Sequence, residues 1–416
     1  MAIRKIFQEV SWVTIGQGIN AFFAIATLKI WAVYLAPDEL GLMALILGTA
    51  STFCGVVADP LLKAMLALYS VYVEAGMGNE FRAVSFMIVT RYVTIFIVLV
   101  IAIGESLLYF FNFHWSTPLL VAVLFGVEVV IAFKQTILMA TRCQSSVAML
   151  QVGNVGFRFV FLWLFLHFLG KSAYFAVIGN LIGALILITI LLGKTHLPRL
   201  PKLTSLYGSG NKQIEREILR IAWPILPSNI LLNVSDIGIR YVIAAICGLN
   251  EAGIFTVTYG LLKRPLGMLS DIGYIVAMPA YIEAIAKKDL YKARSISSGW
   301  FYGILSLSIA VAALFYYLRK LIVHIFLSDS YASAGNYLIG ISVGLIIFNI
   351  NSVMNGILLA KNRSKLILAG NLISAVSVTI MVIVLARLWG LHGIIWGIAI
   401  SNLLQFLLLC RMGKKY

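Results

Sequence analysis

Apolar stretches long enough to cross a bilayer recur along this chain from Ser11 to Arg411, separated by brief polar interruptions. The hydrocarbon core takes about 20 apolar residues as a helix. In lipid every backbone N–H and C=O needs a partner inside the protein, and single stretches of this length meet that need as helices. Composition agrees: 61% of the 416 residues are hydrophobic and 12% charged, against about a quarter charged in a soluble domain, and mean hydropathy is +0.98. A soluble enzyme is excluded. The predicted spans are 11–35, 40–62, 84–111, 117–140, 147–169, 172–192, 221–247, 252–279, 297–318, 336–360, 365–387 and 391–410.

Arg4 and Lys5 would suit a signal peptide and Ala24-Ile25-Ala26 its cleavage site, but Thr27 to Leu35 continue the apolar run, so the segment reads as the first membrane helix. Lys and Arg number 32 against 16 Asp and Glu, and their placement shows what the surplus is for. Alternate loops on one side hold Arg4, Lys5, Lys63, Arg82, Arg142, the stretch Lys194 to Arg220, Lys287 to Arg294, Lys361 to Lys365 and the tail, while the other side holds little beyond Lys171, Arg319, Lys320 and Arg387. Basic loops stay cytoplasmic, which predicts a multi-pass inner (plasma) membrane protein in contact with membrane lipids, with both termini cytoplasmic and no nucleic-acid partner. The four cysteines, Cys54, Cys143, Cys247 and Cys410, have neither metal nor disulfide spacing and read as packing residues. No metal or other cofactor is implied. Trp115, Tyr174, Tyr331 and Trp389, near span ends, read as an interfacial aromatic belt.

The long polar segment from Lys194 to Glu217 divides the chain near its middle, and a repeat supports the division. Leu35-Ala36-Pro37-Asp38-Glu39-Leu40-Gly41-Leu42 is answered 212 residues on by Cys247-Gly248-Leu249-Asn250-Glu251-Ala252-Gly253-Ile254; Asp59 falls on Asp271, Tyr69 on Tyr281 and Arg82 on Arg294. The expected fold is all-α and integral to the membrane: twelve transmembrane helices in two parallel-related six-helix bundles around a central cavity. The lobes are residues 1–192 and 221–416, joined by a cytoplasmic linker at 193–220. Duplicated lobes suit rocking about a substrate held between them.

The repeated Asp/Asn-Glu-x-Gly element resembles the polysaccharide-exporting branch of the MOP transporter superfamily, in particular O-antigen flippases of the Wzx type. Ala36 to Gly41, Asp59, Trp223-Pro224, Ser235-Asp236 and Arg240 carry the likeness across nearly the whole chain. The resemblance implies translocation of an undecaprenyl-diphosphate-linked oligosaccharide, an O-antigen or related repeat unit of lipopolysaccharide, from the cytoplasmic to the periplasmic leaflet. It also implies working beside a polysaccharide polymerase and a chain-length regulator. Lipid II flippases of the same superfamily usually have fourteen spans, and 416 residues leave no room for two more.

A charge in the hydrocarbon costs about 3 kcal/mol and so faces a protein interior or a watery cavity. Within the predicted spans lie the cations Lys29, Lys134, Arg158, Arg240, Lys263 and Arg264 and the anions Glu128 and Asp236. A path for monovalent cations would be lined by carboxylates; this excess of positive charge suits a diphosphate. Lys263, Arg264 and Arg158 fall near the midplane and are first choice for the diphosphate, with Lys29 and Arg240 as a pair one residue off the repeat register, and Lys134 beside them. Glu128, Asp236, Asp59 and Asp271 are the coupling or gating candidates, with protons and sodium both open as driving ions. Asp236 and Arg240, four apart, also have the spacing to neutralise one another. Glu128 and Lys134, about 120° apart around their helix, are poorly set to pair, so each should answer a charge on another helix. Gly179-x-x-x-Gly183 and Gly340-x-x-x-Gly344 read as helix packing. Two other functions compete: export of a small molecule within the same superfamily, and a membrane-bound polysaccharide polymerase or ligase. The enzyme would need catalytic groups that the short loop from Arg319 to Gly335 does not offer, so no enzymatic activity is expected.

Overall fold

The computed structural model describes residues 2–111, 117–141, 143–193, 210–361 and 363–414. Trp115, Arg142 and residues 194–209 of the predicted linker lie outside them. The described chain is almost wholly helical: α1 (Ala2–Tyr34), α2 (Pro37–Phe53), a five-residue π segment (Cys54–Ala58), α3 (Asp59–Glu74), α4 (Gly78–Phe111), α5 (Thr117–Ala140), α6 (Gln144–Phe168), α7 (Ala173–Gly193), α8 (Gly210–Ile246), α9 (Leu249–Ala286), α10 (Leu290–Tyr317), α11 (Arg319–Phe326), α12 (Ala334–Ala360) and α13 (Ser364–Lys414).

Among the described residues ten helices are long and apolar enough to cross a membrane, with Gly18–Tyr34 a shorter apolar one. α2, the π segment and α3 form one continuous rod. α13 holds two of the expected spans, since Trp389 and Gly390 leave helical geometry and Gly390 adopts φ +57°, a conformation glycine takes without steric cost. That break falls where the sequence separates 365–387 from 391–410.

Helix boundaries follow the 212-residue register. The rod Pro37–Glu74 and α9 each run 38 residues, starting at Pro37 and Leu249. α1 and α8 end at Tyr34 and Ile246, and α4 and α10 begin at Gly78 and Leu290. A Cβ on Gly41 would lie 2.1 Å from the Leu249 carbonyl oxygen, and one on Gly253 would lie 1.7 Å from the Pro37 carbonyl oxygen. Pro37 and Leu249 are themselves repeat partners, so the contact is reciprocal. Only residues without a side chain allow the starts of α2 and α9 to cross this closely.

The chain falls into two compact units, one of residues 1–27 and 43–237, the other of 28–42 and 238–416. The division runs through α1 and α8 rather than through the polar segment, so it does not coincide with the lobe limits at 192 and 220 expected from the sequence.

In the first unit α3, α4, α5 and the start of α8 share a core that includes Phe81, Ile88, Phe125, Ile214, Ile218 and Ala222. Residues 210–220, expected to be linker, are therefore helix with a buried face. Tyr72 Oη donates to Glu217 at 2.7 Å and Arg91 pairs with Glu215 at 2.5 Å, fixing that helix start to α3 and α4. α7 lies against α6 through Gly179 and Gly183, where a Cβ would meet the Phe161 and Phe157 carbonyl oxygens at 2.7 and 2.6 Å.

In the second unit α8, α9, α12 and α13 enclose Phe255, Leu262, Leu266, Leu338, Val382 and Ile394. Buried amides tie α12 to α13: Asn351 Nδ2 donates to the Asn402 carbonyl at 2.9 Å and to Gln405 Oε1 at 3.1 Å, and Asn402 Nδ2 to the Gly344 carbonyl at 3.1 Å. Tyr331, expected at the interface, is instead fully buried, its hydroxyl donating to the Leu35 carbonyl at 3.0 Å. Ser328 likewise donates to the Ala32 carbonyl at 2.6 Å. These bonds satisfy carbonyls at the C-terminal end of α1 that no later helical N–H can reach.

Candidate functional site

Charged and amide side chains gather at two places, one in each unit. The first is built on the π segment. A π turn widens a helix by one residue and is often found at functional positions; here it presents the Gly55 carbonyl to α8. Asn229 Nδ2 donates to that carbonyl at 2.9 Å and to Asp59 Oδ2 at 2.8 Å. Asn233 Nδ2 donates to the Asn229 carbonyl at 2.9 Å. A Cβ at position 55 would lie 2.4 Å from Asn233 Oδ1, so the glycine makes room for this amide. Asp59, at the start of α3, also pairs with Lys63 at 2.7 Å. Expected as a gating or capping carboxylate, it is held by an amide and an ammonium.

The Cys54 thiol lies within electrostatic reach of both Asp59 and Glu128, which joins this corner to a second pair. Glu128 Oε1 on α5 meets Arg158 Nη1 on α6 at 2.6 Å, and Arg158 Nε donates to Asn154 Oδ1 at 2.8 Å. Glu128 thus answers a charge on a neighbouring helix, as its angle to Lys134 required. The remaining guanidinium nitrogen, Nη2, is buried with no hydrogen-bond partner. Lys134 is buried at 4% exposure, and Asp236 is exposed near the end of the part of α8 that belongs to this unit.

The second place lies in the other unit and is cationic. Leu28 sits against Gly260, where a Cβ would lie 3.4 Å from its side chain. This sets the end of α1, with exposed Lys29, beside α9 one turn before Lys263 and Arg264, both also exposed. Lys263 Nζ stands 5.0 Å from the centroid of the Tyr259 ring, within cation–π range. Arg240 is half-buried on α8 and Asp271 exposed on α9. Among the described residues, Lys29, Arg240, Arg264 and Asp271 make no ion pair or hydrogen bond through their side chains.

Sequence reasoning singled out charges and passed over Asn154, Asn229, Asn233 and Tyr259. The available signal was polar amides inside apolar helices, which are costly in lipid unless they bond across helices.

No protein-family model and no curated protein sequence matches the chain. Solved structures do. An inward-facing multidrug resistance MATE family transporter of the MOP superfamily superposes with TM-score 0.72 at 16% identity, covering 98% of this chain and 97% of that one. The lipid II flippase MurJ, in an inward closed conformation, gives 0.73 at 13% identity over 98% of this chain and 87% of its own. The chain has the MOP transporter fold. A MOP superfamily transporter from Pyrococcus furiosus, described by the reverse polarity of its binding pocket, gives 0.56 at 15% identity over 97% and 95%. This MOP-fold protein is a multi-pass membrane protein whose structural neighbours are transporters and flippases.

Proposed function

We propose that this protein is a flippase that carries an undecaprenyl-diphosphate-linked oligosaccharide, an O-antigen or related repeat unit, from the cytoplasmic to the periplasmic leaflet of the inner membrane. The observation that carries the reading is the set of cations in the second unit. Among the described residues, Lys29, Arg240 and Arg264 lie in predicted spans with no protein anion paired to them, at a cost of about 3 kcal/mol each on insertion scales. A negatively charged cargo offsets that cost, and a diphosphate accepts the charge-assisted bonds that Arg and Lys donate. Arg158 adds one more donor in the first unit, its unpartnered Nη2. The likeness to MurJ supports a lipid-linked cargo on this fold, and the Pyrococcus furiosus protein supports a change of pocket polarity within it.

Lys263 on α9 and buried Lys134 on α5 are the other two cations of this reading. Glu128 and Asp59, each paired with a cation, and Asp236 and Asp271, both exposed, are the groups through which protons or sodium would drive transport. Rocking of two lobes about the bound cargo would expose it to each leaflet in turn. The polymerase and chain-length regulator would then take the unit up outside.

Accumulation of lipid-linked repeat units in cells lacking the gene tests this. Wild type should relieve the accumulation, while Lys29→Ala, Arg158→Ala and Arg264→Ala at equal expression should not. Repeat units that reach the periplasm without the gene refute the assignment; export of cationic drugs restored by wild type would give the MATE-like reading instead.

A further inference from the structure

Two corners that answer one another at the 212-residue register are built alike and charged differently. Between α3 and α4 the Gly76 N–H donates to the Val73 carbonyl at 3.0 Å and the Met77 N–H to the Tyr72 carbonyl at 2.9 Å. Between α9 and α10 the Lys288 N–H donates to the Ile285 carbonyl and the Asp289 N–H to the Ala284 carbonyl, both at 3.0 Å. Each is a Schellman helix end, which sets one residue, usually a glycine, in the left-handed region. The first corner uses Gly76 at φ +76° and the second Lys288 at φ +57°, the one non-glycine residue with positive φ among those described. A lysine there carries a steric cost that the glycine of the other copy avoids. What the second corner gains from it therefore comes from the side chain.

The rest of the corner has changed in the same direction. Residues 71–82 hold one cation against two carboxylates, and residues 283–294 hold four against two. Lys287 pairs with Glu283 at 2.5 Å, which Lys292 also reaches electrostatically, and Asp289 caps α10 by accepting the Lys292 N–H at 2.9 Å. In the first corner Arg82 turns back onto the Gly78 carbonyl at 3.2 Å and onto the Asn79 side chain. Its counterpart Arg294 has Tyr291 where the first copy has Asn79. Among the described residues, neither exposed Arg294 nor exposed Lys288 makes an ion pair or hydrogen bond through its side chain. Beside them Leu290 is 74% and Tyr291 88% exposed. Ala293 of the same turn is buried with Tyr281 and Ala284, so these side chains stand on a packed base.

We propose that the corner from Lys287 to Arg294 docks the headgroup of an anionic phospholipid in the leaflet on the side of the basic loops. The excess of cations selects an anion, and anionic lipid at a membrane surface attracts Lys and Arg. Exposed Leu290 and Tyr291 select a lipid among anions. A soluble phosphate offers them no apolar boundary to enter, whereas at headgroup depth Tyr places its ring at the interface and Leu leaves water. The corner joins predicted spans 252–279 and 297–318, so a headgroup held there anchors the end of α9 to one leaflet, whatever cargo the protein carries.

The two copies supply the experiment. p-Benzoylphenylalanine replaces Tyr291 or, as the control from the other corner, exposed Asn79. The full chain is reconstituted in vesicles of equal parts phosphatidylglycerol and phosphatidylethanolamine, each radiolabelled in turn. Position 291 is expected to capture phosphatidylglycerol in preference and position 79 to capture both alike. Lys288→Gly should lower the preference at 291 about fivefold, the share of one cation near a charged surface. Glycine adopts φ +57° without steric cost, so that variant should also melt at a higher temperature in zwitterionic detergent, which separates lost selectivity from lost folding. Equal capture of the two lipids at 291, the same preference at 79, or a preference or melting temperature that Lys288→Gly fails to shift as stated overturns the proposal. Displacement of phosphatidylglycerol from 291 by an equal amount of undecaprenyl diphosphate overturns it in favour of the cargo, and capture of a protein at 291 in native membranes overturns it in favour of a protein partner.

Discussion

Neutralising Glu128 leaves Arg158 as an uncompensated charge between α5 and α6, and the geometry sets how costly that should be. The two groups are 2.6 Å apart with side chains 17% and 27% exposed for Arg158 and Glu128. The pair is thus neither a surface bridge, worth about 0.2–1 kcal/mol, nor a fully buried one, whose breaking costs about 3–5 kcal/mol. A hydrogen bond to a charged group is worth about 1.5–3 kcal/mol, and Arg158 keeps its bond to Asn154. Glu128→Gln should therefore cost about 2–3 kcal/mol. Arg158→Gln should cost about as much, since it leaves the carboxylate alone. The double variant has no charge left to desolvate and should recover most of the loss, giving a coupling energy of about 2 kcal/mol. Equilibrium unfolding of the purified protein in mixed micelles, followed by tryptophan fluorescence, reads all three variants on one scale. A coupling below about 0.5 kcal/mol, the usual error of additivity, would refute the view that this pair sets the charge balance between α5 and α6.

Gly41→Ala and Gly253→Ala each drive a Cβ into a backbone carbonyl and should lower thermal stability by about 1–3 kcal/mol or more. Gly238→Ala, with nothing within 4 Å, should be neutral or stabilising by up to about 1 kcal/mol, and heat inactivation in detergent compares them directly. Asn229→Ala frees the Gly55 carbonyl and one Asp59 oxygen and should cost about 2 kcal/mol by the same unfolding measurement, while Asn229→Asp should be worse because it sets a second carboxylate beside Asp59. Tyr331→Phe should cost about 1 kcal/mol. Burial, and after it Asp38, raise the Tyr331 phenol above its usual range, so the folded chain keeps this proton longer than the unfolded chain does. Its stabilisation is complete below about pH 10 and is lost as pH rises beyond; Tyr331→Phe should flatten that alkaline decline in a pH series of unfolding.

The membrane spans were legible because lipid imposes a length and forbids unpaired backbone, and the apolar run at 117–140 coincides with α5. The 212-residue register was legible too, and the crossing of α2 and α9 gives its glycines a physical cause in two carbonyls that leave no room for a Cβ. The start of α8 was misread because its charges lowered the local hydropathy. Yet Ile214, Ile218 and Ala222 recur every four residues along one face, a helical period that the polar composition concealed. The π segment left no sequence mark, since an added residue in an apolar helix changes neither composition nor period enough to see; without it, the meeting of Asn229 with the Gly55 carbonyl and Asp59 could not be foreseen. Charges drew attention because their cost in lipid is large, but several of them prove to be satisfied: Glu128 by Arg158, and Asp59 by Lys63 and Asn229. A charge that is satisfied holds a fold together, and one that is not awaits a ligand. The distinction depends on contacts between helices far apart in sequence, so it appears only once the chain has folded, and among the described residues it moves the weight of the candidate site from Arg158 toward Lys29, Arg240 and Arg264.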